Sequence, residues 1–138
     1  MKQRQIFITA FDKKRLEELI SVAREFGEHA RGYLDGLAAE LERARVVDSV
    51  KIPGDVVTMN SKVVLRDLET SEEETYRLVF PHEADAGSGA ISILAPVGTA
   101  ILGYREGDVV EWPVPSGLRR IQIEKILYQP EASGDFDR

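Results

Sequence analysis

Apolar residues in the first third of the chain recur at three- and four-residue spacing. Leu16, Leu19, Ile20, Ala23 and Phe26 fall on one helical face, the period expected when a single stripe of a helix is buried. Thr9 and Asp12 precede that stripe at the spacing of a capping box, in which side-chain oxygens accept the free N–H groups of a first turn. A helix is therefore predicted to begin near Ala10 and to close at Gly27. After Glu28-His29-Ala30-Arg31-Gly32 the pattern resumes with Leu34, Leu37, Ala38, Leu41 and Ala44, predicting a second helix down to Arg45. Two amphipathic helices of matched length joined by a short turn must bury their stripes against each other. The expectation for residues 1–50 is an antiparallel helical hairpin, a short coiled coil, with Gly27, Glu28, His29 and Arg31 at its tip. Arms of about sixteen residues would be about 24 Å long at the helical rise per residue.

Ile52-Pro53-Gly54-Asp55 breaks the helical period, and a junction is expected between Val47 and Pro53. Beyond it the pattern becomes strand-like. Strands are predicted at Val56–Thr58, Val63–Leu65, Thr75–Phe80, Ile91–Ile93, Val109–Val114 and Leu118–Tyr128, with turns at Met59-Asn60-Ser61 and Pro115-Ser116-Gly117. Pro96 to Leu102 reads as a short helix with proline in its first turn and Gly103 behind it, the usual placement of both residues. Gln129 onward is polar and acidic and is expected to be a loose tail. The fold class predicted is α+β, with residues 51–138 forming a mostly antiparallel sheet domain that carries one short helix.

Of the 138 residues 43% are hydrophobic and 30% charged, the balance of an ordinary globular protein. The absence of cysteine excludes a disulfide framework, a thiolate nucleophile and any zinc site built on sulfur. Residues 1–52 hold ten Lys/Arg against nine Asp/Glu, whereas residues 53–138 hold eight against fifteen, so the second part carries −7. An acidic surface is repelled by phosphate backbones, and direct sequence-specific nucleic-acid binding is not expected. Ile6 to Phe11 is too short for the apolar region of a signal peptide. No later stretch approaches the roughly 20 apolar residues of a membrane helix, so a soluble, cytoplasmic protein without membrane contact is expected.

Candidate chemistry is sparse. His29 and His82 have no second nitrogen or sulfur ligand at metal spacing. No serine stands in a Gly-x-Ser-x-Gly elbow, and Gly87-Ser88-Gly89 lacks the Gly-Lys-Ser/Thr ending of a phosphate cradle. Two acids at a hairpin tip could hold a magnesium ion at another enzyme's centre. Glu28 and Asp35, however, lie about two helical turns apart and read as solvated. No catalytic residue, metal or cofactor is expected.

Asp55-Val56-Val57-Thr58-Met59-Asn60-Ser61, Ala95-Pro96-Val97-Gly98-Thr99-Ala100-Ile101-Leu102-Gly103, Gly107-Asp108 and Tyr128-Gln129-Pro130-Glu131-Ala132 occur in that order. Together they resemble the regulator of nucleoside diphosphate kinase (Rnk) family, within the GreA/GreB elongation-factor group. The resemblance implies a C-terminal domain with the fold of FK506-binding proteins behind a coiled coil shorter than that of the cleavage factors. It further implies docking on bacterial RNA polymerase at the mouth of the secondary channel, in competition with Gre factors. No chemistry of its own is expected, and a monomer is the simplest state for a factor that docks in a channel. The segment from Ala95 to Gly103 is implied as the polymerase-facing surface, with Ala95, Pro96, Val97, Gly98, Ile101 and Leu102 as the partner-binding residues. Cleavage factors carry an acidic tip of the form Asp-x-x-Glu-Asn-Ala. The matching turn here reads Gly27-Glu28-His29-Ala30-Arg31-Gly32, so cleavage stimulation is not expected.

Two other functions stay open at the level of sequence. The family's name also fits direct action on nucleoside diphosphate kinase. Prolyl isomerisation is suggested by the implied fold alone, which is a weak warrant, and Trp112 is the single tryptophan available to line such a pocket.

Overall fold

In the computed structural model of the chain, the structure describes residues 6–26, 31–114 and 117–135. The chain enters through β1 (Phe7–Thr9) and passes into α1 (Ala10–Phe26). Thr9 caps α1 as its position predicts, its Oγ1 accepting the Asp12 N–H at 3.0 Å. After α2 (Arg31–Arg43) comes β2 (Arg45–Val47), which pairs in parallel with β1. That pairing brings the start of α1 and the end of α2 together, so the two helices run antiparallel and pack on each other. The predicted tip residues Gly27, Glu28 and His29 lie outside the described residues, while Arg31 opens α2.

The remaining elements are β3 (Lys62–Asp67), β4 (Glu73–Val79), β5 (Ala90–Ser92), α3 (Pro96–Ile101), β6 (Val109–Val114) and β7 (Gly117–Tyr128). They form a five-stranded sheet of order β5-β4-β3-β7-β6 with α3 beside it, which gives the predicted α+β class. The sheet is mostly antiparallel, as expected, and among the described residues its one parallel pairing is that of β5 with β4. Residues 80–89 carry the chain back through two short 3-10 turns before β5 begins, so a tight hairpin is replaced by a crossover. β3 alternates in burial, with Val63, Leu65 and Asp67 facing inward.

Three expectations are corrected. Val56–Thr58 is no strand: Val56 makes an isolated bridge to Arg105, and the segment enters a turn in which Asn60 has a φ of 68°. The strands β1 and β2 are additional to those the pattern predicts. The start of the supposedly loose tail is docked, with Gln129 and Glu131 both buried.

One apolar cluster runs through the molecule. Ile8, Leu16, Ile20, Leu37 and Leu41 from the hairpin meet Val57, Met59, Leu65, Leu78, Ile101 and Ile123 from the sheet side. Among the described residues no helix is long and apolar enough to cross a membrane.

Candidate functional site

α3 is held by its backbone on three sides. Ala95 caps it in extended conformation and Pro96 occupies its first turn, where the missing N–H has no partner to lose. The Thr99 hydroxyl donates to the Ile93 carbonyl at 2.7 Å, and the Leu94 N–H donates to Ser92 Oγ at 3.0 Å, tying the helix to the end of β5. Gly98 lies against that same turn so closely that a Cβ would stand 2.3 Å from the Ser92 carbonyl oxygen. Behind the helix Gly103 has a φ of +82°, and a Cβ there would meet Ile6 Cβ at 2.7 Å. Its N–H donates to the Val57 carbonyl, and its own carbonyl accepts the Phe7 N–H at 3.1 Å. Two glycines thus let α3 settle between β5, the entering strand and the loop before Thr58.

The six residues expected to meet a partner divide in two. Gly98, Ile101 and Leu102 share one helical face and are buried, Ile101 and Leu102 fully so. The side chains of Ile101 and Leu102 have no surface to offer a partner and, together with Gly98, seat the helix in the core. Ala95, Val97, Thr99 and Ala100 are half-buried and form the accessible side of the segment. The period supplies that signal, since 98, 101 and 102 stand at i, i+3 and i+4.

A second region has long-range contacts that no local pattern in the sequence predicts. The turn Thr58–Ser61 is a junction for segments distant along the chain. Its Met59 N–H donates to Asp12 Oδ2 at 3.0 Å, and its Thr58 hydroxyl donates to Glu131 Oε1 at 2.7 Å. The Thr58 N–H is taken up by Ser61 Oγ at 2.9 Å. Asp12 is completely buried and pairs with Arg15, whose guanidinium sits 4.1 Å from the Phe11 ring centroid and 4.8 Å from that of Phe80. Burial pushes the Asp12 carboxyl above its ordinary range, against the pull of Arg15 and the Met59 N–H. Burial likewise raises Glu131, and the hydrogen bond from Thr58 opposes it. The Gln129 amide donates to the carbonyls of Pro53 and Val56 at 2.8 and 2.7 Å. Two of the sequence blocks that carry the family resemblance, 55–61 and 128–132, are therefore bonded to each other.

Beside this junction a groove of about 750 Å³ separates α1 from the end of β4, lined by Arg15, Leu19, Val22, Asn60, Arg77 and His82. Glu18 and Glu83 also line it and offset the charge of its two arginines. Among the described residues no three histidine, aspartate or glutamate side chains converge to hold a metal ion.

Comparison with known proteins places these features in context. Residues 39–128 match the family model described as transcription elongation factor, GreA/GreB, C-term, and residues 4–47 match the one described as Rnk N-terminus. The chain is 36% identical over 137 residues to the regulator of nucleoside diphosphate kinase of Escherichia coli (strain K12), covering 99% of this chain and 98% of that protein. It is 36% identical over 132 residues to the transcription elongation factor GreA of Chelativorans sp., covering 85% of this chain and 84% of that one. Among solved structures, a prokaryotic transcription elongation factor GreA/GreB from Nitrosomonas europaea is 43% identical with a TM-score of 0.73, covering 90% of this chain and 100% of that chain.

Proposed function

The chain belongs to the GreA/GreB family and carries an Rnk-type N-terminus, and from that premise we propose that it is a non-enzymatic transcription regulator. It docks on bacterial RNA polymerase near the secondary channel, in the cytoplasm and as a monomer, and competes there with Gre factors. The contact is made by the segment Ala95–Ala100, whose described accessible residues include Val97.

The observation that carries this reading is the way α3 is presented. Gly98 and Gly103 let its backbone approach β5 and the entering strand at distances that admit no side chain, so the outward residues are carried on a helix seated directly on the core. Preorganised surfaces bind with less ordering cost than mobile ones. The relatives named above are elongation factors or a regulator, and none is named as an enzyme. The tip sequence Gly27-Glu28-His29-Ala30-Arg31-Gly32 lacks the acidic pair that the cleavage factors present, which supports docking without cleavage.

Binding of the purified chain to polymerase core enzyme, compared with a Pro96→Ala, Val97→Asp double variant, tests this. The parent chain is expected to bind at micromolar concentration or tighter, and the variant about tenfold or more weaker, because an unpaired carboxylate must be desolvated in the contact. Equal binding by both would move the contact elsewhere. In a stalled elongation complex the chain is expected to leave the transcript uncut.

The name of the full-length relative, regulator of nucleoside diphosphate kinase, favours one alternative, direct association with that kinase. Co-elution of chain and kinase without polymerase would support it, and separate elution would leave the polymerase reading alone.

A further inference from the structure

We propose that Glu131 is a positioning residue: seated on Thr58, it latches the C-terminal segment against the turn that holds Asp12 and so fixes the direction in which the α1–α2 hairpin leaves the sheet. Three parts of the chain meet at this point. Asp12 belongs to the first turn of α1, Thr58–Ser61 is the turn leading into β3, and Glu131 follows β7. Thr58 and Met59 are neighbours, and one holds Glu131 while the other holds Asp12. The side chains of Thr58, Ser61 and Asp12 are almost wholly inaccessible, so these bonds have no water to replace them if they break.

Ile8, Leu16 and Ile20 anchor the base of the hairpin in the common core, and two further bonds hold its other side, Phe7 N–H to the Gly103 carbonyl at 3.1 Å and Arg43 to the Tyr104 hydroxyl at 2.8 Å. The Asp12–Met59 bond is the directional tie on the α1 side. Hydrogen bonds weaken steeply as they bend. Burying Asp12 and Glu131 near the Arg15 guanidinium is also unfavourable compared with apolar residues of similar size. A joint of that composition is therefore explained by the geometry it specifies. The lever is long: α1 has 17 residues, about 25 Å at the helical rise, so a rotation of about 10° at its base carries its far end about 4 Å.

The inference deepens the docking reading, since a hairpin that enters a channel must be aimed, but its test needs no polymerase. The chain contains no cysteine, so Val22→Cys on the exposed side of α1 and Lys125→Cys on exposed β7 accept nitroxide labels at defined positions. Electron–electron double resonance on the full chain then reads the hairpin-to-sheet distance. A single narrow distribution is expected in the labelled parent and in Glu131→Gln, which keeps an acceptor oxygen for Thr58. Glu131→Ala and Thr58→Val are expected to broaden it by several ångströms while far-UV circular dichroism is unchanged. An unchanged width in Glu131→Ala overturns the proposal. Should Glu131→Ala unfold, Thr58→Val decides by the same criterion, and loss of polymerase binding in any other experiment leaves the latch untouched.

Discussion

Replacing Gly98 with alanine puts a methyl group where the structure has no room. The added Cβ would stand 2.3 Å from the Ser92 carbonyl oxygen, 3.1 Å from Leu78 Cδ1 and 3.2 Å from Ile93 Cα. The nearest atom is backbone, so no side-chain rotation relieves the contact, and α3 must withdraw from the end of β5 by nearly 1 Å. That movement strains the Thr99 hydroxyl bond to Ile93 and the Ser92–Ala95 turn. Overpacking of this kind typically costs about 1–3 kcal/mol, and the upper part of that range is expected because two of the three obstructing atoms are main chain. Urea unfolding followed by circular dichroism measures it. Gly36 is the internal control: it lies in α2, and a Cβ added there would meet nothing within 4 Å, so Gly36→Ala is expected to stabilise by about 0.5–1 kcal/mol through helix propensity. A Gly98→Ala protein within about 0.5 kcal/mol of the parent, the range of an ordinary surface change, would refute the placement of α3.

Leu16 is fully buried between the hairpin and the sheet, and Leu16→Ala is expected to lose about 2–5 kcal/mol in the same assay. Glu131 has its carboxyl raised by burial, so its contribution to stability is complete below the ordinary carboxylate range and is lost as pH rises through the raised value. Urea midpoints across that window should therefore fall with rising pH more steeply in the parent than in Glu131→Gln, and parallel profiles would contradict the assigned cause. Gln129→Ala removes both bonds to the Pro53 and Val56 carbonyls. It is expected to cost about 1–3 kcal/mol, because the buried Val56 carbonyl loses its side-chain donor and the Ala132 N–H loses the Gln129 Oε1 acceptor, and to speed amide hydrogen exchange in the loop before Thr58.

The parts of the fold legible in the sequence are those set by local chemistry. Thr9 marks the start of α1 and Pro96 that of α3 through capping and proline geometry that need only neighbours in the chain. β1 and β2 escape because each is three residues long and its partner is almost forty positions away, while Ile6 to Phe11 also reads as a run into the helix. The docked tail escapes for a related reason. Gln129 and Glu131 are polar, and only partners more than seventy residues distant make their burial sensible. By spacing Asp12 is half of a capping box, yet its carboxylate turns to Met59 and Arg15. At α3 the sequence block singles out a segment without dividing it, and the division into seated and accessible residues follows only when the helical period is applied within it.

The docking assignment stands or falls on displacement at the polymerase. Fluorescently labelled chain is bound to RNA polymerase core enzyme and titrated with unlabelled GreA protein, with an unrelated acidic protein of similar size as control. Docking at a shared site predicts that GreA releases the label along a single-site competition curve and that the control does not. Binding that GreA leaves undisturbed, or no binding at micromolar concentrations, would contradict it.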